Sequence, residues 1–88
     1  MDFGIGGKVA LVTAGSRGIG FGIAQALAAE GARVAVVARE ESGVQQAARA
    51  VGGFGYAADL LTVDGCSSAV AAVQDALGPV EILVNNLG

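Results

Sequence analysis

Three points of this 88-residue chain carry residue types able to do chemistry: the run Thr13-Ala14-Gly15-Ser16-Arg17-Gly18-Ile19-Gly20, the lone Asp59, and the pair Asn85-Asn86. Glycine lacks a Cβ, so a glycine-rich run lets the backbone turn sharply and come close to a phosphate. When a helix follows, its unsatisfied N–H groups and the positive end of its dipole face the anion. No Gly-Lys-Ser/Thr follows the run, which excludes a P-loop. The plainer alternative is a tight strand-to-helix turn that holds no ligand. Ser16 has no histidine to act as its base, so it reads as a turn or phosphate ligand and not as a nucleophile. For Asp59 the plain alternative is a strand-end turn or helix cap, and for Asn85-Asn86 a turn that satisfies backbone groups.

Composition removes other chemistries. With no His and one Cys, neither a Cys/His zinc site, a disulfide framework nor a Ser-His-Asp or Cys-His unit can be assembled. The net charge is −3 and the five basic residues Lys8, Arg17, Arg33, Arg39 and Arg49 are scattered singly, so no stripe exists to follow a nucleic-acid backbone. No apolar run approaches the ~18 residues that span a bilayer. Asp2 precedes any lysine and the signal-peptide charge pattern is missing, so a cytoplasmic location is expected. Apolar residues make up 53% of the chain and charged ones 15%, and the mean hydropathy is +0.63. A chain of this size hides only roughly 60% of its unfolded surface, so such an apolar composition suits part of a larger protein.

The elements that must position these residues alternate. Lys8–Ala14 reads as a strand, apolar throughout as when both faces are covered. Ile19, Ile23 and Leu27 recur four residues apart in a helix that Gly31 stops, with Gly20 and Gly22 letting it lie against a sheet. Arg33–Ala38 is a second strand. Ser42 is the expected N-cap of a helix with Val44, Ala47, Ala48 and Val51 inward, ended by Gly52-Gly53. Phe54–Ala58 is a weaker strand because Gly55 interrupts it. A helix over Asp64–Leu77, with Val70, Val73 and Leu77 on one face, precedes Gly78-Pro79 and the fourth strand, Val80–Val84. Such an order demands parallel pairing with right-handed crossovers, in the spatial order 3-2-1-4 of an α/β, Rossmann-like sheet. Ligands of such sheets bind beyond the carboxyl ends of the strands, where the chain order reverses, and both the glycine run and Asn85-Asn86 fall there.

On these residues the chain resembles the short-chain dehydrogenase/reductase family. Thr13–Gly20 is similar to its Thr-Gly-x-x-x-Gly-x-Gly motif, Asp59-Leu60 to the Asp after its third strand, and Asn85-Asn86-Leu87-Gly88 to its Asn-Asn-Ala-Gly. Ala14 stands at the family's first glycine and Leu87 at its alanine. The resemblance covers the whole chain, which corresponds to roughly the first third of the family's domain. It implies a nicotinamide dinucleotide, with the turn backbone from Ala14 through Gly15, Ser16, Arg17 and Gly18 to Ile19 and Gly20 at its phosphates. Asp59 would accept from the adenine amino group with the Leu60 backbone beside it. Asn85 and Asn86, with Gly88, would shape the floor near the riboses.

Cofactor choice is made about 20 residues past the glycine run, where an acidic side chain selects the free ribose 2′-OH. Ala38 stands at that place here, followed by Arg39, whose guanidinium can grip a 2′-phosphate through two parallel bonds. Arg17 is a second basic group within reach, and together they favour NADP(H). Were the second strand to end one residue later, Glu40 would face the ribose and favour NAD(H).

The family's catalytic Ser and Tyr-x-x-x-Lys have no counterpart in the chain. The single tyrosine, Tyr56, is followed four positions later by Leu60 and reads as a packing residue, and the single lysine, Lys8, opens the first strand. The 88 residues alone are therefore expected to be inactive, as the NADP(H)-binding first part of an oxidoreductase acting on a carbonyl or alcohol, such as a 3-oxoacyl reductase. The alternatives are a non-catalytic dinucleotide-binding module and a remnant that pairs with another chain. The fourth strand offers an open apolar edge, so association, as in a homo-oligomer, is expected. Cys66 reads as a small packing residue and Asp64 as a helix-start residue.

Overall fold

The computed structural model describes residues 4–13 and 18–86. The elements are β1 (Val9–Thr13), α1 (Gly18–Ala29), β2 (Arg33–Ala38), α2 (Glu41–Val51), β3 (Phe54–Ala57), α3 (Val63–Leu77) and β4 (Ile82–Val84). All three strand pairings are parallel and the sheet order is β3-β2-β1-β4, as the alternation of elements demands.

Period-two alternation along the strands divides the core between two faces. Val12 of β1 and Val34 and Val36 of β2 point to the side covered by α1 and α2, where they meet Ala24, Val44, Ala47 and Ala48. Val9, Leu11, Ala35 and Val37 point to the other side, under Ala69 and Val73 of α3. Covering both faces removes β1 from water along its whole length, which explains its unbroken apolar sequence. Tyr56 is half-buried against the α3 side and packs there, as read from the sequence. Leu83 pairs in register with Leu11, so it shares the α3 face, but the described residues leave it 63% exposed.

Local signals were shifted at several ends. Glu40, not Ser42, is the α2 N-cap, and the Ser42 hydroxyl donates to Glu40 Oε1 at 3.3 Å. Gly52 closes α2 in the left-handed region, at φ 65°, with its N–H on the carbonyls of Ala48 and Arg49. In α3 the inward line is Ala69 and Val73, one helical turn apart, which turns Val70 outward and leaves it exposed. Gly22 faces open space and is exposed, so it is not what lets α1 approach the sheet.

Gly55 owes its place to the close seating of α2 on β3. A Cβ there would stand 2.9 Å from Val44 Cγ1 and 3.0 Å from Ala48 Cβ. The missing side chain weakens the strand intrinsically but admits the helix, and Gln45 Nε2 donates to the Gly55 carbonyl at 3.0 Å. Gly55→Ala is expected to destabilise the fold by about 1–3 kcal/mol through overpacking. A lowered urea midpoint at unchanged slope would register it, and an unchanged midpoint would contradict this seating.

Candidate functional site

Because every strand is parallel, Thr13, Ala38, Ala57 and Val84 all end at one edge of the sheet. The residues that follow them, among them Arg39, Asp59 and Asn85-Asn86, are delivered to that edge by topology alone. Chain order reverses there between β1 and β4, the place where open α/β sheets leave a crevice.

Thr13 is the one buried polar residue among the described residues, at 6% exposure. The ladder between β1 and β4 ends at the pair Val12 and Val84. One residue further on, the Thr13 side chain continues the connection. Its Oγ1 accepts the Asn86 N–H at 2.8 Å and lies 3.2 Å from both the Val84 carbonyl and Asn85 Oδ1. A hydroxyl has one hydrogen, so it donates to one of these two acceptors at a time. The Asn85-Asn86 turn is thereby tied to the end of β1. Sequence reasoning placed Thr13 only as the first residue of the glycine motif. The available signal was a lone hydroxyl closing an otherwise apolar strand.

Asp59 sits exposed beyond β3, with Ala58 N–H donating to the Ala38 carbonyl at 2.9 Å just before it. Its Oδ1 accepts the Leu61 N–H at 3.0 Å, an Asx turn, while Oδ2 makes no hydrogen bond with the described residues. The turn reading and the ligand reading are therefore compatible. The Asp59 carbonyl accepts from Thr62 twice, from its N–H at 3.2 Å and its hydroxyl at 3.0 Å. Thr62 is the true N-cap of α3, accepting the Gly65 N–H on its Oγ1 at 2.9 Å, and Asp64 lies within the first turn. Cys66 is exposed, and its thiol donates to the Leu60 carbonyl at 3.2 Å, so it braces this loop instead of packing in a core.

β2 ends at Ala38, so Arg39 is the first residue past the strand. It is exposed and makes no hydrogen bond or ion pair with another described residue. Glu40 is engaged at the start of α2. At the opposite edge of the sheet, Glu81 and Arg33 are used internally. Glu81 N–H donates to the Val9 carbonyl at 2.9 Å, Glu81 Oε1 accepts the Val9 N–H at 3.3 Å, and Arg33 donates to the Leu77 carbonyl at 2.7 Å, closing the end of α3. At the carboxyl edge, the Arg39 guanidinium and Asp59 Oδ2 make no hydrogen bond with the described residues.

Of the residues singled out in the sequence, Gly18, Ile19 and Gly20 form the start of α1, and Arg39, Asp59, Leu60, Asn85 and Asn86 follow their strands as expected. Leu60 is half-buried against the α3-side core. Ala14, Gly15, Ser16, Arg17 and Gly88 lie outside the described residues. No helix of the described residues is long and apolar enough to cross a membrane.

Comparison with known proteins agrees with this arrangement. The family model for short chain dehydrogenase matches residues 8–88. The 3-oxoacyl-[acyl-carrier-protein] reductase FabG of Vibrio cholerae is 45% identical over 84 residues, which are 93% of this chain and 34% of that protein. Ketoacyl reductase HetN of Nostoc is 42% identical, over 93% of this chain and 30% of its own length. The chain so spans about a third of the length of these relatives. Among solved structures, L-sorbose reductase from Gluconobacter frateurii, complexed with NADPH and L-sorbose, superimposes with a TM-score of 0.93 at 41% identity, covering all of this chain and 36% of that one. Actinorhodin polyketide ketoreductase (an F189W variant with NADPH) superimposes at 0.88 with 39% identity, over all of this chain and 35% of its own. Sheet order, motif positions and the family match over nearly the whole sequence agree, and the chain belongs to the short-chain dehydrogenase family.

Proposed function

We propose that residues 1–88 are the amino-terminal part of an NAD(P)-binding domain that holds NADP(H), in an oxidoreductase that exchanges hydride with a carbonyl or alcohol substrate of the 3-oxoacyl reductase type. The observation that carries the reading is the placement of Arg39, Asp59 and the Thr13-tied Asn85-Asn86 turn along one carboxyl edge of the sheet, the edge at which chain order reverses between β1 and β4.

The residues present fit such a group by their chemistry. Arg39 carries a charge unpaired among the described residues and suits a 2′-phosphate, with Arg17 of the glycine run as a second cation. The Asp59 oxygen left over from the Asx turn suits the adenine amino group, with the Leu60 backbone beside it. Backbone N–H groups from Ala14 to Gly20 would hold the phosphates where α1 begins, and Asn85, Asn86 and Gly88 would line the ribose side. When bound, the nicotinamide supplies or accepts the hydride. The names of the relatives, reductases of ketoacyl compounds, and the NADPH of the neighbouring structures support the substrate and cofactor classes.

Titration calorimetry of the purified chain with NADPH and with NADH tests this. One saturable site is expected, tighter for NADPH. Absence of heat with both cofactors, or tighter binding of NADH, would contradict it.

A further inference from the structure

Asp59 and Leu60 follow β3 on a short loop, and what holds that loop is the first turn of α3. Four hydrogen bonds build this support: the Thr62 hydroxyl and N–H on the Asp59 carbonyl, the Gly65 N–H on Thr62 Oγ1, and the Cys66 thiol on the Leu60 carbonyl. The approach is close enough to exclude a side chain at position 65. A Cβ there would land on the Asp59 carbonyl oxygen and stand 2.8 Å from Thr62 Oγ1. Gly65 lies inside a helix, where glycine is otherwise unfavourable, so its value here is the room that it leaves for the Asp59 backbone.

We infer that Gly65 and Thr62 are positioning residues for the adenine end of the cofactor: they set where the Asp59 carboxylate and the Leu60 backbone stand, without touching the cofactor themselves. This rests on the NADP(H) reading above. Gly65→Ala separates loop position from helix stability, because alanine favours the helix while displacing the Asp59 carbonyl. Thr62→Val removes the hydroxyl that links the two, and Thr62→Ser retains it.

The test compares NADPH with its analogue in which hypoxanthine replaces adenine, which lacks the amino group. The probe is each ligand's own nicotinamide fluorescence, and circular dichroism establishes that each variant is folded. The unaltered chain is expected to prefer NADPH by about tenfold or more, the contribution of one hydrogen bond to a charged acceptor. In Gly65→Ala and Thr62→Val that preference falls to about one, with affinity for the analogue kept within about twofold, and Thr62→Ser restores it. Equal loss of both ligands in the variants would mark a merely structural role and overturn the inference. So would an unaltered chain that binds both ligands equally. An unaltered chain that binds neither would overturn the cofactor reading itself, and the inference with it.

Discussion

Thr13→Val is expected to destabilise the chain by about 2 kcal/mol and to weaken NADPH binding by about tenfold or more. Valine has nearly the shape of threonine, so the buried space at the end of β1 stays filled. What disappears is the hydroxyl that accepts the Asn86 N–H and donates toward Val84 or Asn85. The Asn86 N–H is then left without that partner in a partly buried place, which costs more than an exposed bond would. The loss falls just beyond the last ladder pair of β1 and β4, so the Asn85-Asn86 turn is released while the sheet below it is retained. Thr13→Ser keeps the hydroxyl and is expected to keep binding. Urea midpoints, paired with NADPH titration of the two variants, provide the check. Equal behaviour of valine and serine would refute the role given to the hydroxyl.

The second large effect is on cofactor choice. Arg39→Glu is expected to shift the ratio of NADPH to NADH affinity by roughly a hundredfold or more toward NADH. It replaces a charge-assisted contact to the 2′-phosphate with repulsion, and each tenfold corresponds to about 1.4 kcal/mol. β2 ends at Ala38 and Glu40 is engaged at the α2 cap, so the side chain at 39 is the first one past the strand. Because Arg39 is exposed and makes no bond to the described residues, the substitution is expected to leave the thermal midpoint close to its original value. A ratio unchanged by Arg39→Glu would remove Arg39 from the cofactor's surroundings.

Much of the scaffold was legible because its signals are local. Apolar runs such as Val34-Ala-Val-Val-Ala38, bounded here by Arg33 and Arg39, yield the element order, and right-handed crossovers then leave few sheet orders open. Helix starts were less legible: Ser42 and Asp64 are acceptable caps by residue type, yet α2 is capped at Glu40 and α3 at Thr62. Thr62 prevails over Asp64 because its hydroxyl also reaches the Asp59 carbonyl. On the inward face of α3, Val73 and Leu77 were legible but Val70 was not its third member: alanine gives a weak periodic signal, and Ala69 meets the sheet instead. At the site, Asp59 and Asn85-Asn86 stood out as polar residues at strand ends. The role of Thr13 did not, because it depends on contacts 71–73 residues away in sequence. Gly65 and Gly55 were opaque for a related reason: the absence of a side chain is informative only once the neighbouring atom is known.

The uncovered Leu83 on the α3 face bears on how such measurements are made. A parallel sheet is ordinarily covered on both faces, and β4 pairs on one side only among the described residues. Association through this edge would be concentration-dependent, so binding is best followed at several protein concentrations.

On the proposed function, the carboxyl edge of the sheet, where chain order reverses between β1 and β4, holds NADP(H). Amide chemical-shift mapping of the isotope-labelled chain during NADPH addition tests it most directly. Progressive shifts are expected at Arg39, Asp59, Leu60, Asn85 and Asn86, with Arg33 and Glu81 at the opposite edge unmoved. Shifts centred on Arg33 and Glu81, or on the outer side of α3 around Val70, would contradict it.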